Sequence, residues 1–155
     1  MRLSKNFVLS EITRSNTAKR LGISNEPTKE HLENMQRLIS NLIQPMRDDI
    51  GPIRISSGYR SKELNRSIGG SSRSQHCKGQ ALDLQFWEEG KMNNKAIYDW
   101  ILNSNMEFDQ MINEFDFAWI HISLKKDKNR KDVLEAYKDD EGDTKYRYAD
   151  IKPSI

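Results

Sequence analysis

An amphipathic helix predicted over residues 27–50 constrains the fold of this chain more than any other segment. Pro27 stands where the first turn of a helix tolerates proline, and Gly51 ends the apolar pattern. Pro45 lies inside the segment, so it should kink the helix or divide it. The apolar residues recur at helical spacing, at Leu32, Met35, Leu38, Ile39, Leu42, Ile43, Met46 and Ile50.

Short strands and two shorter helices are predicted around this long helix. The strands are expected at residues 53–56, 81–86, 109–115 and 117–123, with a tight turn between the last two. The helices are expected at 61–68 and 94–103, and a polar loop without periodicity at 71–80. This mixture indicates the α+β class. We therefore expect a single small domain with a short, mostly antiparallel sheet and flanking helices.

The length of the chain, 155 residues, suits one domain. No internal repeat and no linker interrupts residues 1–124, so we assign them to that domain. Residues 125–155 are dense in charge of both signs, and we predict that they form a solvated, mobile C-terminal tail. Part of this tail could dock through its tyrosines, Tyr137, Tyr146 and Tyr148.

Composition excludes several classes of protein. A net charge of +2 is too small to argue for nucleic acid as a partner. The lone cysteine, Cys77, excludes an intrachain disulfide and a cysteine-cluster metal site, and we expect it to be a partly buried free thiol. No apolar run approaches the ~18 residues of a membrane span, and the N-terminus lacks the apolar stretch of a secretory signal. We expect a soluble monomer, synthesised in the cytosol, with no membrane partner.

The residues that carry chemistry lie in two short segments. His76 precedes a predicted strand that contains Asp83, and His121 lies on a neighbouring strand. His76 and Asp83 can converge across the mouth of the loop, where His121 can close the third side. Two imidazoles and a carboxylate suit zinc first, with one position left for water. Core or surface histidines with ordinary hydrogen bonds are the commoner explanation of such spacing, and His31 is expected to face solvent on the long helix.

The motifs Ser74-x-His76-x-x-Gly79-x-Ala81-x-Asp83 and Trp119-x-His121 resemble those of the M15 zinc peptidases. These are the D-alanyl-D-alanine carboxypeptidases and L-alanyl-D-glutamate endopeptidases that cut the stem peptides of bacterial peptidoglycan. The similarity to the small bacterial and phage branch extends over roughly residues 5–124. It includes Phe7-x-Leu9-x-Glu11, Ser57-Gly58-Tyr59-Arg60-Ser61 and Asp109-Gln110-x-Ile112-x-Glu114-Phe115.

The resemblance implies a Zn²⁺ ion at the centre of the sheet, with His76, Asp83 and His121 as its ligands. It also implies that Arg60 is a cation near the scissile carbonyl. A guanidinium there would stabilise the negative charge that develops on the carbonyl oxygen. The alternative is that Arg60 is a surface arginine after a turn.

Three further residues have two interpretations each. Ser74 could orient the substrate or a ligand, or it could be an ordinary loop serine. Trp119 could form the floor of a substrate groove, or it could pack in the core. Asp109 could hydrogen-bond a ligand histidine, or it could cap the start of a strand.

The general base is where this sequence departs from the better-known relatives. In those proteins an acidic residue stands three positions before the last histidine, and here that position is Ala118. The nearest carboxylates are Glu114 and Asp116. The matched segment around Ile112 favours Glu114, while Asp116, or no base at all, stays open.

The leading prediction is a zinc metallopeptidase that hydrolyses peptidoglycan stem peptides as a carboxypeptidase or an endopeptidase. The missing secretory signal favours a phage-type lysin (an endolysin) that reaches the cell wall after release, or an enzyme carried in the virion. One alternative is a zinc-containing wall-recognition module of a phage particle that does not cut, which Ala118 supports. Another is a cytosolic dipeptidase for D-amino-acid peptides.

Overall fold

The long helix expected from the sequence forms in three parts. In the computed structural model, which describes residues 1–151, helix α3 spans Lys29–Leu38, a π-helical turn spans Ile39–Ile43 and helix α4 spans Gln44–Ile50. The wide turn comes immediately before Pro45, whose ring would collide with the carbonyl four residues earlier in a regular helix. The predicted division at Pro45 is confirmed, and it takes the form of a bulge.

The strands of the described residues are β1 Ile53–Ser57, β2 Ala81–Glu88, β3 Lys91–Met92, β4 Gln110–Glu114, β5 Trp119–Ser123, β6 Asp132–Lys138 and β7 Thr144–Tyr148. Neighbouring strands follow the order β1-β2-β5-β4-β6-β7, and β3 pairs with β2. All pairs are antiparallel except β4 with β6, which are parallel. The prediction of a small α+β domain with a mostly antiparallel sheet and flanking helices is confirmed.

One face of the sheet packs against the helices and forms the core. Alternate residues of β2, Leu82, Leu84 and Phe86, point to this side because successive side chains of a strand face opposite ways. Helix α6 (Lys95–Asn103) contributes Ile97 and Ile101 to the same core. Full burial of one such side chain stabilises the fold by roughly 1.5–3 kcal/mol. The other face of the sheet stays open, and it carries the candidate site.

Short helices and turns connect these elements. They are α1 Leu9–Thr13, α2 Asn16–Leu21, α5 Lys62–Ser67 and a 3₁₀ turn at Gln75–Lys78. Ser61 begins α5, since its side chain accepts a hydrogen bond from the backbone N–H of Leu64. The 3₁₀ turn lies inside the segment expected to be a loop without regular structure. No helix within residues 1–151 has the length and hydropathy needed to cross a membrane.

The expectation of a solvated, mobile tail after residue 124 is wrong for strands β6 and β7. Strand β6 lies parallel to β4 and buries Val133 and Ala136, and β7 pairs with β6. The connection to β6 is fixed by the fully buried carboxylate of Asp109, which accepts a hydrogen bond of 2.8 Å from Arg130 Nη2. The rest of the predicted tail, residues 152–155, lies outside the described residues.

Candidate active site

The structure brings His76, Asp83 and His121 together on the open face of the sheet. Asp83 on β2 lies opposite His121 on β5, and His76 reaches them from the 3₁₀ turn. The Oδ1 atom of Asp83 lies 3.2 Å from Nε2 of His76 and 3.1 Å from Nδ1 of His121. The candidate ligand atoms all lie within 4.8 Å of one another. This spacing would let all three side chains bind one metal ion.

A backbone carbonyl sets the orientation of the His76 ring. Its Nδ1 lies 2.7 Å from the carbonyl oxygen of Gly58, so Nδ1–H donates there and Nε2 faces Asp83 as the atom that would bind a metal ion. Gly58 must be glycine, because a Cβ atom would collide with the backbone of Ile12. Within the Ser57–Ser61 motif, Gly58 therefore allows the end of β1 to approach helix α1, and its carbonyl oxygen orients His76.

The donor set fits zinc by its chemistry. Two imidazole nitrogens and one carboxylate oxygen form a common ligand set for a catalytic zinc ion. Burial alone would raise the pKa of Asp83, but the charges of His76 and His121 and their hydrogen bonds outweigh it and hold the pKa well below its ordinary value. Asp83 is therefore a carboxylate, the form that binds a cation.

Glu114 ends strand β4 and lies in the same groove as the metal cluster, by which we mean the three candidate ligand side chains of His76, Asp83 and His121. It pairs with Trp119 across the sheet and is only 8 % exposed. Burial raises its pKa from 4.5 to about 7, an effect that His121 weakens and Asp83 strengthens. A carboxyl group with such a pKa can both accept and release a proton near neutral pH. Asp116, the alternative base, is exposed in the turn that follows and does not line this groove.

The turn between Glu114 and Trp119 has an unusual backbone. Phe115, Asp116 and Phe117 have φ angles of 51°, 55° and 63°, so all three lie in the left-handed region. Their conformation is held by the side chain of Asn113, which accepts a hydrogen bond of 2.6 Å from the backbone N–H of Phe117. Such a run costs free energy and must be fixed by its surroundings.

Arg60 lies beside the metal cluster, and its guanidinium is held between Asn65 and Asp83. Its Nη1 donates to Oδ1 of Asn65 at 3.0 Å, and its Nη2 lies 3.9 Å from Oδ2 of Asp83. Its Nε is buried and has no hydrogen-bond partner among residues 1–151. Gly70 packs directly against Asn65, where a Cβ atom would collide with the amide oxygen. The guanidinium is thus held in place, with its side chain 16 % exposed, unlike a surface arginine.

Ser74 and Trp119 both line the groove, although their roles toward a substrate stay predictions. The Oγ of Ser74 accepts a hydrogen bond of 3.3 Å from the backbone N–H of His76, so it caps the turn that carries a candidate ligand. The Trp119 ring is half-buried and meets Phe115 edge-on, with the ring centroids 5.5 Å apart. Neither residue belongs to the core beneath the sheet.

Three other expectations have clear outcomes. Asp109 contacts no ligand histidine within the described residues, but it accepts a hydrogen bond of 3.1 Å from Nε2 of Gln75, the neighbour of His76. His31 does not simply face solvent, because it is half-buried and its Nδ1 lies 3.0 Å from the Tyr59 hydroxyl. Cys77 is a buried free thiol, as predicted, and burial raises its pKa.

Residues beyond position 124 complete the groove, which has a volume of about 900 Å³, and the sequence pattern did not indicate them. The lining residues from strands β6 and β7 are Leu134, Lys138, Thr144 and Tyr146. The alternation of Tyr146 and Tyr148 with charged residues is typical of a strand with one exposed face, but the high charge of the segment favoured a tail.

Comparison with known proteins gives one match. The sequence model of a family described as Peptidase M15 matches residues 5–123. No curated protein matches the chain. The matched range contains the metal cluster, Arg60 and Glu114, and it ends at the last residue of strand β5.

Proposed function

Because the chain belongs to the M15 peptidase family, we propose that it is a zinc-dependent peptidase with His76, Asp83 and His121 as the metal ligands. The observation that carries this proposal is the convergence of three ligand atoms within 4.8 Å on the floor of an open groove. That groove also holds a buried carboxyl group with a raised pKa and a fixed guanidinium. Together these groups suit hydrolysis of a peptide bond.

Glu114 is the proposed general base. A bound zinc ion supplies Lewis-acid chemistry, since it polarises a carbonyl group and makes water more acidic. The Glu114 carboxylate would accept a proton from the attacking water while the water oxygen bonds to the carbonyl carbon. It would then pass that proton to the amide nitrogen as the carbon–nitrogen bond breaks. Burial raises the pKa of Glu114 in the metal-free chain, and a bound cation would favour the carboxylate, which is the form that accepts the proton.

Arg60 is the proposed electrostatic partner of this reaction. Negative charge develops on the carbonyl oxygen in the transition state, and a fixed donor beside that oxygen stabilises it. The Nη2 atom of Arg60 lies 3.9 Å from Oδ2 of Asp83, beside the proposed metal ligands, so it is the donor placed to act in this way. Ser74 and Trp119 are the proposed substrate-orienting residues, because both line the groove.

The proposed substrates are stem peptides of bacterial peptidoglycan. We infer this from the M15 family and from the open groove, which can take an extended peptide. We propose that the protein acts as a monomeric phage-type lysin at the bacterial cell wall, after release from the cell or as a virion component. Both the D-alanyl-D-alanine bond and the L-alanyl-D-glutamate bond are candidates for cleavage.

A synthetic stem peptide that contains both candidate bonds tests the proposal. We expect zinc-loaded protein to cut one of the two bonds, and a chelator to abolish cleavage, as mass spectrometry of the products would show. Glu114→Gln should lower turnover by roughly 10²–10⁴, the usual contribution of a positioned acid or base. The matched control Asp116→Asn should stay close to the wild type.

Four results would contradict parts of this account. Chelator-resistant cleavage would exclude the metal, and full activity of Glu114→Gln would exclude Glu114 as the base. Binding of the peptide without cleavage would favour a wall-recognition module, which Ala118 in place of an acidic residue also favours. Preference for the free dipeptide D-alanyl-D-alanine over purified wall would favour a dipeptidase.

A further inference from the structure

Strands β6 and β7 form one wall of the groove, although they lie beyond the residues that the family match covers. The sheet order places β1 at one edge and β7 at the other, with β5 and β4 between them. Arg60 follows β1, whereas Tyr146 lies on β7. A peptide in the groove would therefore meet the metal cluster and Glu114 at its centre, with Arg60 and Tyr146 on opposite sides.

The register of the strands puts Tyr146 in one row with Glu114. Glu114 on β4 pairs with Ala136 on β6, and Ala136 pairs with Tyr146 on β7. Strands in a sheet are about 4.8 Å apart, so the backbones of Glu114 and Tyr146 are separated by roughly 10 Å. The residue between them, Ala136, is buried and has only a methyl side chain. Both flanking side chains line the groove.

The side chain of Tyr146 carries a free hydrogen-bonding group. Its hydroxyl makes no hydrogen bond to any other group in residues 1–151, and the residue is 55 % exposed. Burial, Glu114 and Asp83 all raise the pKa of the phenol. The hydroxyl therefore keeps its proton at neutral pH and is available as a donor.

The hairpin that carries Tyr146 is well fixed. Arg147, the next residue, donates to Glu135 across the strands at 3.0 Å, and its guanidinium lies 4.5 Å from the centre of the Tyr137 ring. The chain after β7 is also tied to β6, because the backbone N–H of Ala149 donates to the carbonyl of Val133 at 2.9 Å. A donor on such a support can orient a ligand at little entropic cost.

We propose that Tyr146 is a substrate-binding residue of this groove, whose phenol hydroxyl donates a hydrogen bond to a backbone carbonyl of the bound peptide. This inference rests on the proposed function, since it names a further residue of the same site. It assigns a role in peptide recognition to a segment outside the family match.

The experiment compares Tyr146→Phe with Tyr148→Phe, using the synthetic stem peptide with both candidate bonds. Tyr148 is a matched control because it lies two positions further along β7, is 73 % exposed and does not line the groove. A hydrogen bond contributes about 0.5–1.5 kcal/mol, so Tyr146→Phe should weaken peptide binding by roughly 2- to 13-fold. The value of kcat/KM should fall by at least as much. Tyr148→Phe should change neither quantity, and both variants should keep the zinc content and melting temperature of the wild type.

Binding is measured by calorimetry in the Glu114→Gln background, so that the peptide stays intact. If the wild type cuts the peptide and Tyr146→Phe binds and cuts it equally well, the role of Tyr146 is wrong and the proposed function stands. If no variant cuts the peptide but binding still depends on the Tyr146 hydroxyl, the peptidase function is wrong and the role of Tyr146 stands. If the wild type neither binds nor cuts it, both proposals fail.

Discussion

At the scale of single residues, the surroundings of two carboxyl groups in the groove shift their pKa values in opposite directions. Asp83 lies between two imidazoles, which outweigh the effect of burial and lower its pKa, whereas burial raises the pKa of Glu114 to about 7. A pair of groups with opposite shifts is typical of active sites, since one serves as a permanent anion and the other exchanges protons. Asp83 thus suits a metal, and Glu114 suits acid–base catalysis.

The raised pKa of Glu114 predicts a pH-dependent difference in stability between the metal-free wild type and Glu114→Gln. Below the ordinary pKa of 4.5, the carboxyl is protonated in both the folded and the unfolded chain. As the pH rises toward about 7, the unfolded chain ionises first, so the wild type loses stability that the variant keeps. From about pH 4 to about pH 8, urea unfolding should show the variant gaining about 1–3 kcal/mol relative to the wild type. A difference that does not change with pH would contradict the raised pKa.

At the scale of elements, the turn of Phe115, Asp116 and Phe117 connects the strands that carry Glu114 and His121. Its left-handed backbone is one that residues other than glycine seldom adopt, and Asp or Asn tolerates it best. The turn holds Phe115 against Trp119 at the rim of the groove. The backbone of this turn is thus unfavourable by itself, and the conformation it adopts shapes the site.

The substitution Asp116→Gly should therefore stabilise the protein. Glycine adopts φ near 55° without steric cost, although it also gains more freedom in the unfolded chain. The balance should raise the free energy of unfolding by about 0.5–1 kcal/mol. The control Asp127→Gly, at an exposed residue outside the left-handed region, should lower it by a similar amount. Equal effects of the two substitutions in thermal or urea unfolding would show that the turn carries no strain.

Elements with strong periodicity could be predicted from the sequence, and those that depend on tertiary contacts could not. The long helix has an uninterrupted apolar stripe, and Pro45 marked its division. The 3₁₀ turn of His76 has no local pattern, because it is held by Ser74 and by the carbonyl of Gly58. Strand β6 was missed because only Val133 and Ala136 are buried among its charged neighbours.

At the scale of the whole molecule, one face of the sheet packs in the stabilising core and the other face carries the candidate site. Its inner face and the helices form the apolar core, while its outer face carries polar and aromatic side chains around a groove. The spacing of His76, Asp83 and His121 was only suggestive by itself, and the resemblance of their motifs to those of the M15 peptidases was needed to predict that they form a metal site. The pKa of Glu114, the unpartnered Nε of Arg60 and the position of Tyr146 depend on burial and strand register, so they required the structure.

Zinc content is the most direct test of the central claim, which is that His76, Asp83 and His121 form a metal centre. Elemental analysis of purified protein loaded with zinc and dialysed should give about one ion per chain, the number that one such ligand set holds. The double variant His76→Ala/His121→Ala should lose most of it. The control His31→Ala should retain it, because the third histidine of the sequence contacts Tyr59 away from the cluster. Full zinc occupancy in the double variant would contradict the account.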